Sequence, residues 1–439
     1  MRFKAFSYGK GIALPKITAY VENSEVIKLP LPHMAVVPLK QCKGPAPVIM
    51  VGLNEKVKVG TILAKSGVST IVSPVCGNVN RIEKRPSCYG GMCDHILINV
   101  DPNDDQITLP PIEYETATKD AILKRIEELG IVDYDGKPLQ EKLKLNEEDH
   151  VSSLVVNACT DEPFLINNIV LARENAEEII DGAAYIAKSI KVNTISFVIT
   201  KSMFAKFQGF IDKLKEAEGD LLFDVYIVPD RYPVGDEIEL VKALTKKEMS
   251  IKGSPKDFGM IIVDIATCYA VNNAVAKGSG DVDKLLTVVG TGLNGNEIQC
   301  VWTRVGTTFE DIMNRTRSSG ERNVLKVIAG GPMRGVSVAG LNVSVTKTLK
   351  ALMFLNGTVL STDKETACIG CGKCVDICPR NLMPYRIEEY AEREDYAMAK
   401  KYGAEFCTKC GCCGFVCPAK RNLVQRIVFA KENIKDKGV

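Results

Sequence analysis

Along the first hundred residues hydrophobic and polar positions alternate in short runs that end at glycine or proline. Two phrases stand out: Val51-Gly-Leu-Asn-Glu-Lys-Val57-Lys-Val59-Gly60-Thr-Ile-Leu63 and Val72-Ser-Pro74-Val-Cys76-Gly77-Asn-Val79-Asn-Arg-Ile82. Period-two alternation punctuated by turn formers predicts short paired strands. After Ala117 the period lengthens, and apolar positions three and four apart alternate with short apolar runs. This predicts helices over 121–129, 176–188, 202–218, 237–244 and 266–276, interleaved with strands over 154–157, 194–199, 224–228 and 260–263. Strand and helix in turn at this spacing mean a parallel α/β domain. From about Leu285 the chain is strand-rich again, with Val288-Val289, Val301-Trp302-Thr-Arg-Val305 and, after a helix over 309–314, Val327-Ile-Ala-Gly330-Gly331-Pro332-Met333-Arg-Gly335. That segment reads as a small β-grasp unit, and a charged helix over 387–402 follows it.

The fold class expected is therefore multidomain α/β. The boundaries fall at 1–112 for a barrel-sandwich module, 113–283 for the α/β domain, 284–355 for the β-grasp unit and 356–439 for a cysteine-rich domain. The two N-terminal phrases match the halves of a lipoyl-type module. No lysine stands at the hairpin tip, so a structural or docking role is expected rather than lipoylation.

A chain of 439 residues with 46% hydrophobic content has enough apolar surface for several cores. The formal net charge of +2 argues against general nucleic-acid binding. No apolar run approaches the roughly 20 residues of a membrane span, and Met1-Arg-Phe-Lys-Ala-Phe-Ser lacks an apolar signal core. A cytoplasmic location is expected, with peripheral membrane association left open. Sixteen cysteines in such a chain imply a reducing compartment.

Half of those cysteines form two matching runs, Cys368-Ile-Gly-Cys371-Gly-Lys-Cys374-Val-Asp-Ile-Cys378-Pro379 and Cys407-Thr-Lys-Cys410-Gly-Cys-Cys413-Gly-Phe-Val-Cys417-Pro418. In this spacing three thiolates serve one cubane, and the fourth, before proline, ligates the other. Two [4Fe-4S] clusters are predicted: cluster I on Cys368, Cys371, Cys374 and Cys417, cluster II on Cys407, Cys410, Cys413 and Cys378. Cys412 is left over as a non-ligand. Zinc sites rarely show a doubled run of this kind, and disulfide frameworks belong to small secreted chains. Between Cys407 and Arg426 stand Lys409, Lys420, Arg421 and Arg426 with no acidic residue, which is either a docking patch beside a cluster or a solvated helix face. Cys88-Tyr-Gly-Gly-Met-Cys93 is a candidate redox or metal pair, set against the commoner outcome of small buried cysteines.

With these pieces in order, the chain resembles the RnfC component of the Rnf electron-transport complex and, more distantly, the flavin-carrying NADH-oxidising subunit of respiratory complex I. The residues that carry the resemblance are the doubled cysteine run with Cys417-Pro-Ala-Lys-Arg421 and Leu423-Val-Gln425, Gly330-Gly-Pro-Met333, Tyr232-Pro233-x-Gly235, and Asn157 with Glu162-Pro163. The resemblance implies a Rossmann-like flavin domain, with Asn157 and Glu162 at the flavin site, and a two-cluster ferredoxin domain. The family's glycine-rich phosphate loop, however, reads Gly130-Ile131-Val132-Asp133-Tyr134-Asp135-Gly136-Lys137-Pro138 here. A carboxylate in place of glycine blocks and repels a phosphate, which argues against both FMN and NADH. Kept clusters with an altered loop resemble a side branch, the electron-transfer protein associated with D-proline reductase. Members of that branch can carry selenocysteine, and Cys42, in Pro38-Leu-Lys-Gln41-Cys42-Lys-Gly44-Pro, is its counterpart and a candidate redox thiol.

The function expected from these residues is an iron–sulfur relay that takes electrons from a reduced donor and passes them through two clusters to a partner reductase, such as D-proline reductase. One alternative is an FMN-dependent, NADH-oxidising subunit of an Rnf-type ferredoxin:NAD oxidoreductase. Another is a docking or assembly protein whose clusters are structural.

Overall fold

In the computed structural model, residues 1–14, 21, 26–160, 162–250, 253–290, 298–316, 324–357 and 364–438 are described. At its centre lies a five-stranded sheet in the order Arg2–Ala5, Leu222–Val228, Thr194–Thr200, Ser153–Asn157, Met260–Asp264, with every neighbouring pair parallel. Its inner strands are apolar at successive positions because helices cover one face and helix Glu237–Thr245 the other. Leu154 and Val156 pack into one core while Val155 and Ile262 pack into the second. Helices Ala176–Ser189 and Ile265–Val275 cross closely at Gly182, where a Cβ would stand 1.8 Å from the Cys268 carbonyl oxygen.

The expected alternation of helix and strand is present, with differences that have local causes. The segment read as one helix over 202–218 opens with a 3-10 stretch, Lys201–Phe207, before helix Gln208–Glu216. Helix Asn167–Glu174 is an addition to the expected elements. Its apolar residues are buried almost all round, so no amphipathic period marks them. The helix expected over 387–402 is two, Pro384–Glu392 and Tyr396–Lys401. Glu394 takes the left-handed conformation between them (φ 57°), and the Asp395 carboxylate starts the second by accepting the Met398 N–H at 3.0 Å.

The N-terminal module is a sandwich of two small sheets. One runs Met34–Pro38, Met92–Val100, Gly77–Pro86, Lys56–Val57, and the other Val48–Ile49, Ile62–Lys65, Thr70–Val72. Val37, Leu63, Ile71, Val79 and Ile96 fill the space between them. The earliest strands belong elsewhere: Arg2–Ala5 edges the central sheet, and Val26–Lys28 edges a mixed six-stranded sheet. That mixed sheet also holds Asp283–Gly290, Ile298–Arg304, Lys326–Ala329, Val336–Val338 and Ala351–Leu355, with helix Phe309–Thr316 against its face. Lys347 fastens three regions together. Its buried ammonium donates to the Gly130 carbonyl at 2.7 Å, and its amide N–H donates to Gln41 Oε1 at 3.1 Å. Among the described residues no helix is long and apolar enough to cross a membrane.

Candidate functional site: two cysteine-lined cavities beside a cleft

Each cysteine run folds as a loop with glycines in the left-handed region, followed by one turn of helix. Gly372 (φ 73°) precedes helix Lys373–Asp376, and Gly411 (φ 83°) precedes helix Cys412–Phe415. A side chain is disfavoured at that φ, which is why glycine stands at both places. One cavity is lined by Cys368, Cys371, Cys374 and, from the other run, Cys417. The second is lined by Cys407, Cys410, Cys413 and, from the first run, Cys378. Four thiols lining a cavity, three from one run and one from the other, are the donor set of a four-iron cluster. Backbone N–H groups already point at two of the sulfurs, Leu382 at Cys378 and Lys409 at Cys407, each at 3.4 Å. Cys412 also borders the second cavity, but its thiol is directed at the Tyr232 carbonyl oxygen, 3.9 Å away.

The basic run that follows is not a free patch. Arg421 and Arg426 both bond the buried Glu388 carboxylate, and each also reaches Glu365 and Glu392. Lys409 lies 4.0 Å from Glu432. The acids that neutralise the run come from residues 365, 388, 392 and 432, outside the window in which the run lacks acids. These arginines clamp the two cysteine runs together. Removing a buried partner from such a pair costs about 3–5 kcal/mol, and less where the arginines keep other carboxylates. Glu388→Ala is therefore expected to destabilise the cluster-bearing holoprotein by about 2 kcal/mol in denaturant unfolding followed by cluster absorbance, with only part of the loss recovered in Glu388→Gln, which keeps an acceptor oxygen but not the charge.

Next to the second cluster loop a cleft opens between the central sheet and the mixed sheet. It encloses a cavity of about 340 Å³ bordered by Tyr89, Tyr134, Glu162, Gly235, Gly331 and Arg334. Glu162 ties the two sides together, its carboxylate accepting the Met333 and Arg334 N–H groups at 2.7 and 3.0 Å. A Cβ on Gly331 would meet that carboxyl group at 2.6 Å, so only glycine allows the approach. Asn157, at the end of its strand, is buried and does not reach the cavity. It donates from Nδ2 to the Gly235 carbonyl at 2.7 Å and accepts the Cys159 N–H at 3.1 Å, fixing the loops that border the cleft. The Tyr232 hydroxyl donates to the Cys410 carbonyl at 2.6 Å, and the Arg334 guanidinium lies over the Tyr232 ring and pairs with Asp236 at 2.6 Å. Cleft and cluster loop thus share one wall.

Several residues in the cleft wall or just behind it carry little signal in the sequence. Arg334 sits beside the conspicuous Gly330-Gly-Pro-Met333 phrase, and Glu237 lies two residues after Gly235, so proximity to a motif is the only pointer to either. Lys142 and Lys350 have none. Lys350 pairs with the buried Asp264 at 2.9 Å. Cys88 borders the cavity, its thiol 3.4 Å from the Thr346 hydroxyl and pushed up to about 11 by burial. Cys93 faces His95 Nδ1 at 3.8 Å. Cys42 is half-buried in the segment between strands Met34–Pro38 and Val48–Ile49, flanked by Gln41 and by a Lys43 whose N–H donates to the Gly136 carbonyl.

Of the two aspartates in residues 133–137, only Asp135 borders the cleft. Asp133 is buried and turned inward, where its Oδ1 accepts the N–H groups of Asp135 and Lys137, both at 2.9 Å. Lys142 donates to Asp133 Oδ2 at 2.9 Å and to Glu237 Oε2 at 2.6 Å, and the Tyr134 hydroxyl donates to Glu237 at 2.7 Å. Burial opposes the Lys142 charge, but the two carboxylates outweigh it and hold the ammonium above its ordinary range. Asp135 is the more exposed of the two aspartates and lies 3.9 Å from Lys137.

Comparison with known proteins bears on this geometry. Residues 6–103 match the RnfC barrel sandwich hybrid domain, residues 126–273 the Nuo51 FMN-binding domain, and residues 367–420 a 4Fe-4S dicluster domain. The C component of the proton-translocating ferredoxin:NAD(+) oxidoreductase complex from Clostridium ljungdahlii is 28% identical over 98% of this chain and 95% of its own length. The C component of the ion-translocating oxidoreductase complex of Rhodobacter capsulatus is 29% identical over 99% of this chain and 84% of its own. For the corresponding Vibrio cholerae protein the figures are 27%, 84% and 48%, so the chain spans about half the length of that relative. The structure of an NAD+-reducing [NiFe]-hydrogenase in the H2-reduced state shares the fold over 73% of this chain and 64% of its own, with 16% identity and a TM-score of 0.52. Two expectations are corrected. The relay to D-proline reductase gives way, because the relatives belong to ion- or proton-translocating oxidoreductases. The exclusion of flavin from the two aspartates alone gives way as well, because the surrounding domain matches an FMN-binding one and the cleft beside it is open. In domain content, and in sequence along nearly its whole length, the chain is RnfC-like.

Proposed function

We propose that this protein is the electron-transfer subunit of an Rnf-type oxidoreductase, exchanging electrons between a flavin in the cleft and two [4Fe-4S] clusters, with NAD(H) and a ferredoxin-type protein as outer partners. The carrying observation is the wall shared by cleft and second cluster loop, where Tyr232 bonds the Cys410 carbonyl while neighbouring Gly235 borders the cavity. The cavity of about 340 Å³ lies within the range of small-molecule sites. Glu162, Gly235, Gly331 and Tyr134 are the residues that would hold a flavin ring. When bound there, a flavin supplies the exchange between two-electron hydride chemistry and single-electron transfer.

The chain's own residues do the positioning. Asn157 and Glu162 fix the cleft, Tyr232 fixes the cleft to the second loop, and Arg421 and Arg426 fix the two loops to each other. Cluster I is assigned to Cys368, Cys371, Cys374 and Cys417, and cluster II to Cys407, Cys410, Cys413 and Cys378. The test is anaerobic reconstitution with iron, sulfide and flavin. Iron and labile sulfide are expected near eight each per chain, as two cubanes require, and NADH should bleach the cluster absorbance only in flavin-loaded protein. Bleaching at the same rate without flavin, or none with it, would overturn the proposal.

A further inference from the structure

Oriented backbone N–H groups beside an ammonium make an anion site. Residues 133–142 build one and fill it from within. The N–H groups of Asp135 and Lys137 converge on Asp133 Oδ1, those of Asp133 and Gly136 close the turn on the Lys137 and Asp133 carbonyls, and the Lys142 ammonium sits on Oδ2. These four amides are therefore spent inside the loop. Nor is the charge in surplus for a ligand, since Lys142 already serves both Asp133 and Glu237. The filled site adjoins the cleft directly. Tyr134, the next residue, borders the cleft cavity and is pinned by Glu237 and by the Lys142 and Lys350 ammonium groups 4.8 and 5.2 Å from its ring centre.

We propose that Asp133 is a built-in anion occupying the place a ligand phosphate would take, so that the cleft selects a flavin by its ring and gains nothing from its phosphate. The inference rests on the reading that the cleft takes a flavin. The carboxylate does what a phosphate would do for the loop, capping its amides and balancing Lys142. The charged residues bordering the cavity are paired as well, Arg334 with Asp236, Lys350 with Asp264 and Asp135 with Lys137, so a phosphorylated and an unphosphorylated flavin have the same contacts to make. Removing the carboxylate should leave two uncapped amides and one under-paired ammonium, which together suit a phosphate.

The experiment compares FMN with riboflavin on the reconstituted protein, and inorganic phosphate on the same material. In the unaltered chain the two flavins are expected to bind within about threefold of each other. In Asp133→Gly the preference for FMN should rise about tenfold or more, corresponding to about 1.4 kcal/mol. Phosphate should raise the melting temperature of the variant and not of the unaltered chain. An unaltered chain that holds FMN tenfold more tightly than riboflavin overturns the proposal, and this measurement does not depend on the variant folding. If neither flavin binds, the flavin reading fails and the phosphate arm decides. Stabilisation of Asp133→Gly alone then upholds the built-in anion, and equal effects on both proteins sink it.

Discussion

Cys417→Ala is expected to strip the cluster of the first cysteine loop, roughly halving iron from about eight to about four per chain, while the cluster of its own loop stays reducible. The reason is spatial. Cys417 follows the second loop in sequence, but its side chain borders the cavity of Cys368, Cys371 and Cys374. A cubane that loses one of its thiolates keeps three ligands and an open iron, a site exposed to loss or conversion to a smaller cluster. Cys378→Ala should give the reciprocal result, because Cys378 borders the cavity of Cys407, Cys410 and Cys413. Iron analysis with electron paramagnetic resonance of the dithionite-reduced protein reads both. Loss of the second loop's signal in Cys417→Ala, with the first intact, would sink the crossover assignment. Cys412→Ser supplies the control: its thiol faces Tyr232, so iron should remain near eight per chain.

The cysteine runs are legible because metal-cluster chemistry is written in local spacing, and the parallel sheet because its strands announce themselves as short apolar runs between amphipathic helices. What stays hidden depends on contacts far apart in the chain. Arg2–Ala5 carries no strand signal beyond a few alternating residues, and its pairing begins at Asp224, 222 residues further along the chain. The basic run ending at Arg426 reads as unpaired because its acids lie on Glu388, Glu392 and Glu365. Asp133 and Asp135 are recognisable as departures from a glycine loop, yet sequence alone points both carboxylates toward a ligand. Direction is a tertiary property. Only the positions of Lys142 and Glu237 show that Asp133 turns inward and that the neighbouring cleft stays open.

Glu162→Ala is expected to uncouple the cleft from the clusters. The carboxylate is the one described acceptor for the Met333 and Arg334 N–H groups, and Met333 in turn packs beside Cys410 and Cys412 of the second cluster loop. Hydrogen bonds to a charged acceptor contribute about 1.5–3 kcal/mol each, and part-burial here argues for the low end, so the pair should cost about 3 kcal/mol of stability. The larger effect is on function. The 330–335 turn would lose two of its ties to the central α/β domain and keep the Arg334–Asp236 pair, and displacement of about an ångström in a redox or catalytic site can cost up to about a hundredfold in rate. NADH-driven bleaching of the clusters should slow about tenfold to a hundredfold, while dithionite, which reaches the clusters from solvent, should reduce them at an unchanged rate. Glu162→Gln keeps an acceptor oxygen at the same place and is expected to recover most of the stability and much of the rate. Equal slowing with NADH and with dithionite would mean that the substitution damages the clusters themselves, and the role given to Glu162 in joining cleft to cluster loop would fall.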